Sequence, residues 1–265
     1  MPSKNGFELQ DSDIDLIHCV YQLRIATIDH LATLSGRSVR ALWNRLLKLK
    51  QRRYLASVAR FMQKQVYAIG TEGVPVLIEH GYAPRDLAEK RLRHHEFTEI
   101  GIRHSLFIAD IHARIIMLTR NSSIKLAHWQ EGAALWDSVV AHEGDSPIPV
   151  RPDAYFILKR AGLPEGKNTF HFFLEADRST MSHARMAQKT SGYLAYYIQG
   201  QHAKKYPGMN AFLVATVTET RRRADELRND LYSLIPRGSR QAYLFIPFED
   251  LTLAALLPKA AAHAA

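Results

Sequence analysis

Arg151-Pro152-Asp153-Ala154-Tyr155-Phe156-Ile157-Leu158 and Thr169-Phe170-His171-Phe172-Phe173-Leu174-Glu175-Ala176-Asp177-Arg178 are two short arms, aromatic and apolar, parted by a polar segment from Lys159 to Asn168 that contains glycine and proline. The pattern predicts a β-hairpin. Side chains alternate along a strand, so Glu175 and Asp177 project to one face, and Asp153 at the mouth of the first arm meets them across the pair. Three carboxylates gathered in this way repel one another unless a cation sits between them, and hard oxygen donors suit magnesium or manganese. A metal held there ionises a water and braces the phosphate that the water attacks.

The chain around this hairpin has 265 residues, 46% of them hydrophobic, enough for one large domain or two smaller ones with an ordered core. No apolar run is long enough to span a bilayer, and the opening residues Met1 to Gly6 lack the apolar segment of a secretory signal. The single cysteine, Cys19, excludes an internal disulfide and a cysteine-rich zinc site. A cytoplasmic protein without membrane insertion is expected. Lys and Arg number 35 against 26 Asp and Glu, a net charge of +9, and an excess of that size favours a polyanionic partner, nucleic acid first. The chain has no Gly-rich phosphate loop with its lysine and no Cys/His zinc pattern of the deaminase type, so a nucleotide or RNA-processing enzyme finds little support.

Upstream of the hairpin, the first seventy or so residues read as three helices and a second hairpin. Asp13 caps a segment with helical apolar spacing through Ile14, Ile17 and Val20, Thr27 caps another that stops at Gly36, and Ser38 opens a third from Val39 to Lys50. Val39, Leu42, Trp43, Leu46, Leu47 and Leu49 form the apolar side of that third helix. Strand-like runs at Tyr54 to Ala59 and Gln65 to Ile69 follow, joined by Arg60-Phe61-Met62-Gln63-Lys64. This order resembles a winged helix-turn-helix domain. The resemblance implies that the third helix enters the major groove of double-stranded DNA, with Arg37, Ser38, Arg40 and Asn44 near base edges and Arg45, Lys48, Arg52, Arg60 and Lys64 on phosphates.

A break at Tyr82 to Asp86 and a basic run from Lys90 to His95 suggest a connector, and a long helix from about Thr98 to Thr119 carries Ile100, His104, Phe107, Ile108, Ile111, Ile115 and Ile116 on its buried side. His104 is either a hydrogen-bonded core histidine or a group near phosphate. Strand-like pieces at Ser123 to Trp129 and Leu135 to Val140 precede the central hairpin, and Glu131 at the end of the first is a further candidate ligand. After the hairpin come a helix from about Ser182 to Gln201, an apolar strand at Asn210 to Val217, a basic amphipathic helix at Glu219 to Leu234 and a last strand at Gln241 to Phe248.

The acids and this element order resemble the PD-(D/E)XK nuclease superfamily. Pro152-Asp153 and Glu175-Ala176 match its pattern, Asp177 stands where its usual lysine would be, and Lys189 on the following helix is placed to take the lysine's part. With the winged helix, His104, Trp129-x-Glu131 and the order of these motifs, most of residues 10 to 250 is similar to the replication-relaxation family, which includes the MOB-C class of plasmid relaxases. The resemblance implies an α+β protein: a winged helix-turn-helix at residues 10–82, a connector at 83–97, and a restriction-endonuclease-like α/β core with a mixed sheet at 98–258. It also implies a metal-dependent nick at a plasmid or mobile-element origin, in mobilisation or replication. Asp153, Glu175, Asp177 and Glu131 would hold Mg2+ or Mn2+, and Lys189, with His104, would serve the chemistry. A homodimer and conjugation or replication proteins are partners such a role admits.

Two other readings stand beside this one. Tyr193, Tyr196 and Tyr197 on the helix after the acids offer a covalent nucleophile, against the usual outcome that tyrosines at helical spacing are core residues. The chain is alternatively a DNA-binding regulator or replication accessory whose nuclease-like domain is degenerate, since the lysine of the Glu-x-Lys pattern is missing.

Overall fold

The computed structural model describes residues 7–62, 64–92, 98–140 and 146–257, with no side-chain description at 59 and 60. The chain divides into two compact units, residues 1–113 and 114–265. The division falls inside a helix that was expected to belong wholly to the second domain.

The first unit begins with α1 (Asp11–Leu23), a two-residue strand β1 (Ala26–Thr27), α2 (Ile28–Ser35) and α3 (Val39–Gln51), followed by β2 (Leu55–Phe61) and β3 (Lys64–Ile69). Strand β3 pairs antiparallel with both β1 and β2, so the strand between α1 and α2 and the two strands after α3 close one small three-stranded sheet. The helix ends obey local chemistry. Thr27 precedes α2 with extended backbone and Gly36 ends it at φ 70°, a left-handed conformation that glycine adopts without steric cost. The Ser38 hydroxyl accepts from the Ala41 amide at 3.2 Å. At α1 the expected cap moves: Gln10 takes the cap position, and Asp13 lies inside the first turn, accepting from the Gln10 amide at 2.8 Å. Helices α4 (Gly73–Glu79) and α5 (Arg85–Lys90) come next, then α6 (Glu99–Arg120). Residues 93–97 of the expected connector, with most of its basic run, lie outside the described residues. The first half of α6 belongs to this unit for a physical reason. Its Ile102 and Leu106 pack with Ile25, Val66 and Ala68 in one apolar cluster, and its Asp110 meets His30 Nε2 at 2.7 Å. Ile100, expected in the core, is 77% exposed.

The second unit is built on a five-stranded sheet in the order β10-β9-β8-β7-β4, using β4 (Ile124–Glu131), β7 (Ala154–Arg160), β8 (Thr169–Asp177), β9 (Leu213–Thr218) and β10 (Tyr243–Pro247). The central hairpin is present as expected: β7 and β8 pair antiparallel, with Ala154 opposite Leu174 and Phe156 opposite Phe172. Strand β4 adds antiparallel to β7, whereas β8, β9 and β10 run parallel, so the sheet is mixed. Parallel neighbours need crossovers, and the helices α7 (His183–Ile198) and α9 (Arg221–Leu231) supply them, with the short α8 (Gln201–Lys205) after α7. A separate pair, β5 (Asp137–Val139) and β6 (Ile148–Val150), and a terminal turn α10 (Leu253–Leu256) complete the unit.

Alternation divides the hairpin between the two faces of the sheet. Tyr155 and Phe173 join Tyr193, Tyr196, Phe212, Leu227 and Phe245 in a core beneath α7 and α9. Phe156 and Phe172 stack on the opposite face at 4.6 Å, with Trp129 5.4 Å from Phe156. Gly192 lets α7 approach β6 closely, because a Cβ there would stand 3.1 Å from the Ile148 side chain. That approach sets the height at which Lys189 and Tyr193 of the same helix meet the sheet. No helix among the described residues is long and apolar enough to cross a membrane.

Candidate functional site

Pro152 has no N–H for the ladder, so β7 opens one residue after Asp153, and the Asp153 amide donates instead to the Leu174 carbonyl at 2.9 Å. The Asp153 carboxylate turns back along β8, where Oδ2 accepts from the Ala176 amide at 2.8 Å. It is thereby fixed beside Glu175 on the face that packs under α7. Glu175 is buried, at 3% exposure, and two side chains of α7 four residues apart close over it. The Lys189 ammonium pairs with Glu175 Oε2, and the Tyr193 hydroxyl donates to Oε1 at 2.6 Å.

The electrostatics follow from this enclosure. Burial pushes the Glu175 carboxyl up to about 7, Lys189 pulls against that rise, and the Asp153 charge adds to it. Burial alone would lower the Lys189 pKa, but Glu175 and Asp153 outweigh it and hold the ammonium protonated above its usual range. Burial, and then the charge of Glu175, raise the Tyr193 phenol well above its ordinary value. The site is thus two carboxylates that repel each other, one cation between their fields, and a neutral phenol.

Asp177 does not join them. It shares the Glu175 face, as alternation requires, but Arg223 of α9 reaches it from the far side: Nε donates to Asp177 Oδ2 at 2.6 Å, with both residues buried. The same guanidinium donates to His183 Nε2 at 2.8 Å and to the Met181 carbonyl at 2.7 Å. The buried guanidinium compensates the Asp177 charge and ties β8 to α9, so the expected trio of carboxylates divides, Asp177 engaged by Arg223 and Glu175 by Lys189. Register sets the place of Glu131. It lies opposite Ala154, so it projects from the face opposite to Asp153 and Glu175, and its Oε1 accepts from the Trp129 indole at 2.8 Å. Among the described residues, no group of three or more His, Cys, Asp and Glu side chains is placed to hold a metal. Of the four expected ligands, the structure leaves two side by side, Asp153 and Glu175, and the charge of the first acts on the second.

His104 lies half-buried in the first unit, and the buried histidine of α6 is His112, whose imidazole burial and then Arg91 push down to about 3. Of the rival nucleophiles, Tyr193 and Tyr196 are buried, with Tyr196 donating to Asp137 Oδ2 at 3.0 Å. Tyr197 is exposed, eight residues and thus about 12 Å along the helix from Lys189.

In the first unit, α3 buries Leu42, Leu46 and Leu49 and leaves Val39, Trp43 and Leu47 open, Trp43 by 60%. Three of the six residues assigned to its apolar side thus lie on the outer surface, beside exposed Arg40, Asn44 and Lys48. Ser38 is committed to its cap, and Lys64 pairs with Asp29. Arg37 is half-buried, with Nη1 buried and lacking a hydrogen-bond partner. Arg52 is exposed, its guanidinium 5.5 Å from the Phe7 ring centroid, and the Arg60 side chain lies outside the described residues. Arg45 turns inward. It pairs with the fully buried Asp13, donates to the Glu8 carbonyl at 2.9 Å and stands 4.6 Å over the Phe7 ring. Arg45→Ala accordingly leaves the buried Asp13 carboxylate without its cation, with only the Gln10 amide donating to it among the described contacts, and lowers stability in urea unfolding by about 3 kcal/mol, whereas Arg40→Ala on the exposed face changes it by less than about 0.5 kcal/mol.

A model of the replication-relaxation family matches residues 17–212, a span that contains the whole acid site and most of the first unit. No curated protein and no solved structure matches the chain.

Proposed function

Since the chain belongs to the replication-relaxation family, which ties it to DNA in replication or mobilisation, we propose that it is a cation-dependent endonuclease that nicks double-stranded DNA at a plasmid or mobile-element origin. The observation that carries this reading is the Lys189 ammonium on Glu175 beside Asp153, at the mouth of the central hairpin. Magnesium or manganese, when bound, would supply a water ionised near neutral pH and a counter-charge for the phosphate. Asp153 and Glu175 would hold the ion. Lys189 is the one group of the three able to donate to a developing negative charge, and its raised pKa keeps it charged through neutrality. Tyr193 holds Glu175 in one orientation and, buried with its proton retained, is a poor nucleophile. The exposed cationic side chains of α3 would grip the duplex, and any homodimer or conjugation partner would act on this same complex.

A second reading has its own observation. Lys189, Tyr193 and the Ala176 amide already satisfy the two carboxylates, as a degenerate nuclease domain in a DNA-binding regulator would require. Titration calorimetry with manganese separates the two. The nuclease reading expects binding that is lost in Glu175→Ala, and no heat of binding in the parent favours the regulator. Affinity should also climb with pH through about 7, because the ion displaces the Glu175 proton. Folding obeys the opposite sign. The native state keeps that proton over a range where the unfolded chain has lost it, so the stability this group contributes is present at low pH and lost as pH rises to about 7.

A further inference from the structure

A short helical turn, Ala133–Leu135, delivers Trp136 to the start of β5, with the side chain 50% exposed. Because β5 and β6 pair with Asp137 opposite Val150, the next residues outward, Trp136 and Arg151, face each other across the ladder. The Arg151 guanidinium lies 4.9 Å from the Trp136 ring centroid. A second cation fixes the backbone, as Lys205 Nζ donates to the Trp136 carbonyl at 2.7 Å. The neighbouring acid, Asp137, is occupied: Tyr196 donates to it at 3.0 Å and Lys205 stands 3.9 Å away. Arg151 precedes Pro152-Asp153, so its backbone is within about 7 Å of the catalytic candidate.

An open indole with a guanidinium over it suits one class of ligand in a basic chain. Nucleobases offer flat π-faces, and the phosphates between them suit the exposed Arg151. In a duplex those faces are covered by stacking and only an unpaired base presents one. We propose that Trp136 and Arg151 form a stacking platform for an unpaired base of the DNA strand that enters the Asp153 and Glu175 site. The platform names the substrate class as locally melted DNA and rests, for its purpose, on the nicking reading.

The test uses the full chain, fluorescein-labelled oligothymidylate and a labelled duplex, followed by anisotropy in the presence of EDTA so that nicking plays no part. Trp136→Ala should weaken oligothymidylate binding by about tenfold while duplex binding stays as in the parent, and Trp136→Phe should restore most of the loss. Arg151→Gln, a change on an exposed side chain, should give the same selective loss, and serves if Trp136→Ala does not fold. Unchanged oligothymidylate affinity in the folded variants, or a parallel loss of duplex affinity, overturns the platform. Nicking that persists with unchanged oligothymidylate binding would sink the platform alone; selective loss of that binding in a protein that never nicks would leave it standing without the cutting role.

Discussion

Arg223→Met destabilises the second unit by about 3–5 kcal/mol, the cost of leaving a buried carboxylate without its cation. Asp177 and Arg223 are 4% and 6% exposed, and the guanidinium also ties α9 to His183 and to the Met181 carbonyl. Asp177 Oδ1 is buried with no hydrogen-bond partner, so the acid has no second source of compensation to fall back on. The double variant Asp177→Leu/Arg223→Met should recover most of the loss, since apolar groups of similar volume need no desolvated partner. Chemical denaturation of the parent, the two single variants and the pair gives the coupling directly. If Asp177 were a metal ligand, the double variant would fold and lose nicking. The geometry predicts that it folds and keeps it.

Under the proposed nicking function, Lys189→Ala should lower the nicking rate by about 100- to 1000-fold, the range for removal of a preorganised donor. The lysine stands on α7, four residues before Tyr193, and its Nζ already meets Glu175, so its position is set without a ligand. Removing it also removes the charge that opposes the rise of the Glu175 pKa. The pH at which nicking reaches half its maximum should therefore move upward in the variant. Lys189→Arg keeps the charge but not the compact shape, and should recover the pH profile better than the rate. Single-turnover nicking across a pH series separates the two effects.

Much of the fold was legible because the strong signals are local. The aromatic arms either side of Gly162 and Gly166 could hardly be other than a hairpin, and Thr27, Gly36 and Ser38 mark helix ends by chemistry that acts over three or four residues. The acid cluster was legible only in part. Alternation placed Glu175 and Asp177 on one face correctly, but a face does not choose a partner. Arg223, 46 residues further on, takes Asp177, and nothing in the period of either element announces that contact. The place of Glu131 is set by register, because its opposition to Ala154 rather than to a neighbour of Ala154 decides its face, and pairing between β4 and β7 is long-range. The apolar stripe of α3 is narrower than its sequence suggests: Leu42, Leu46 and Leu49 form the buried side, and helical spacing cannot tell a residue at the edge of the stripe from one outside it.

The measurement that bears most directly on the account is conversion of supercoiled plasmid carrying the cognate origin, with magnesium or manganese present, by the parent and by Asp153→Ala. The Asp153 carboxylate accepts from the Ala176 amide and lies close enough to Glu175 and Lys189 to act on both, so it is the oxygen donor that, with Glu175, would meet an ion under the proposed reading. The account predicts open-circular product from the parent and none from the variant. No product from the parent, or equal product from both, would contradict it.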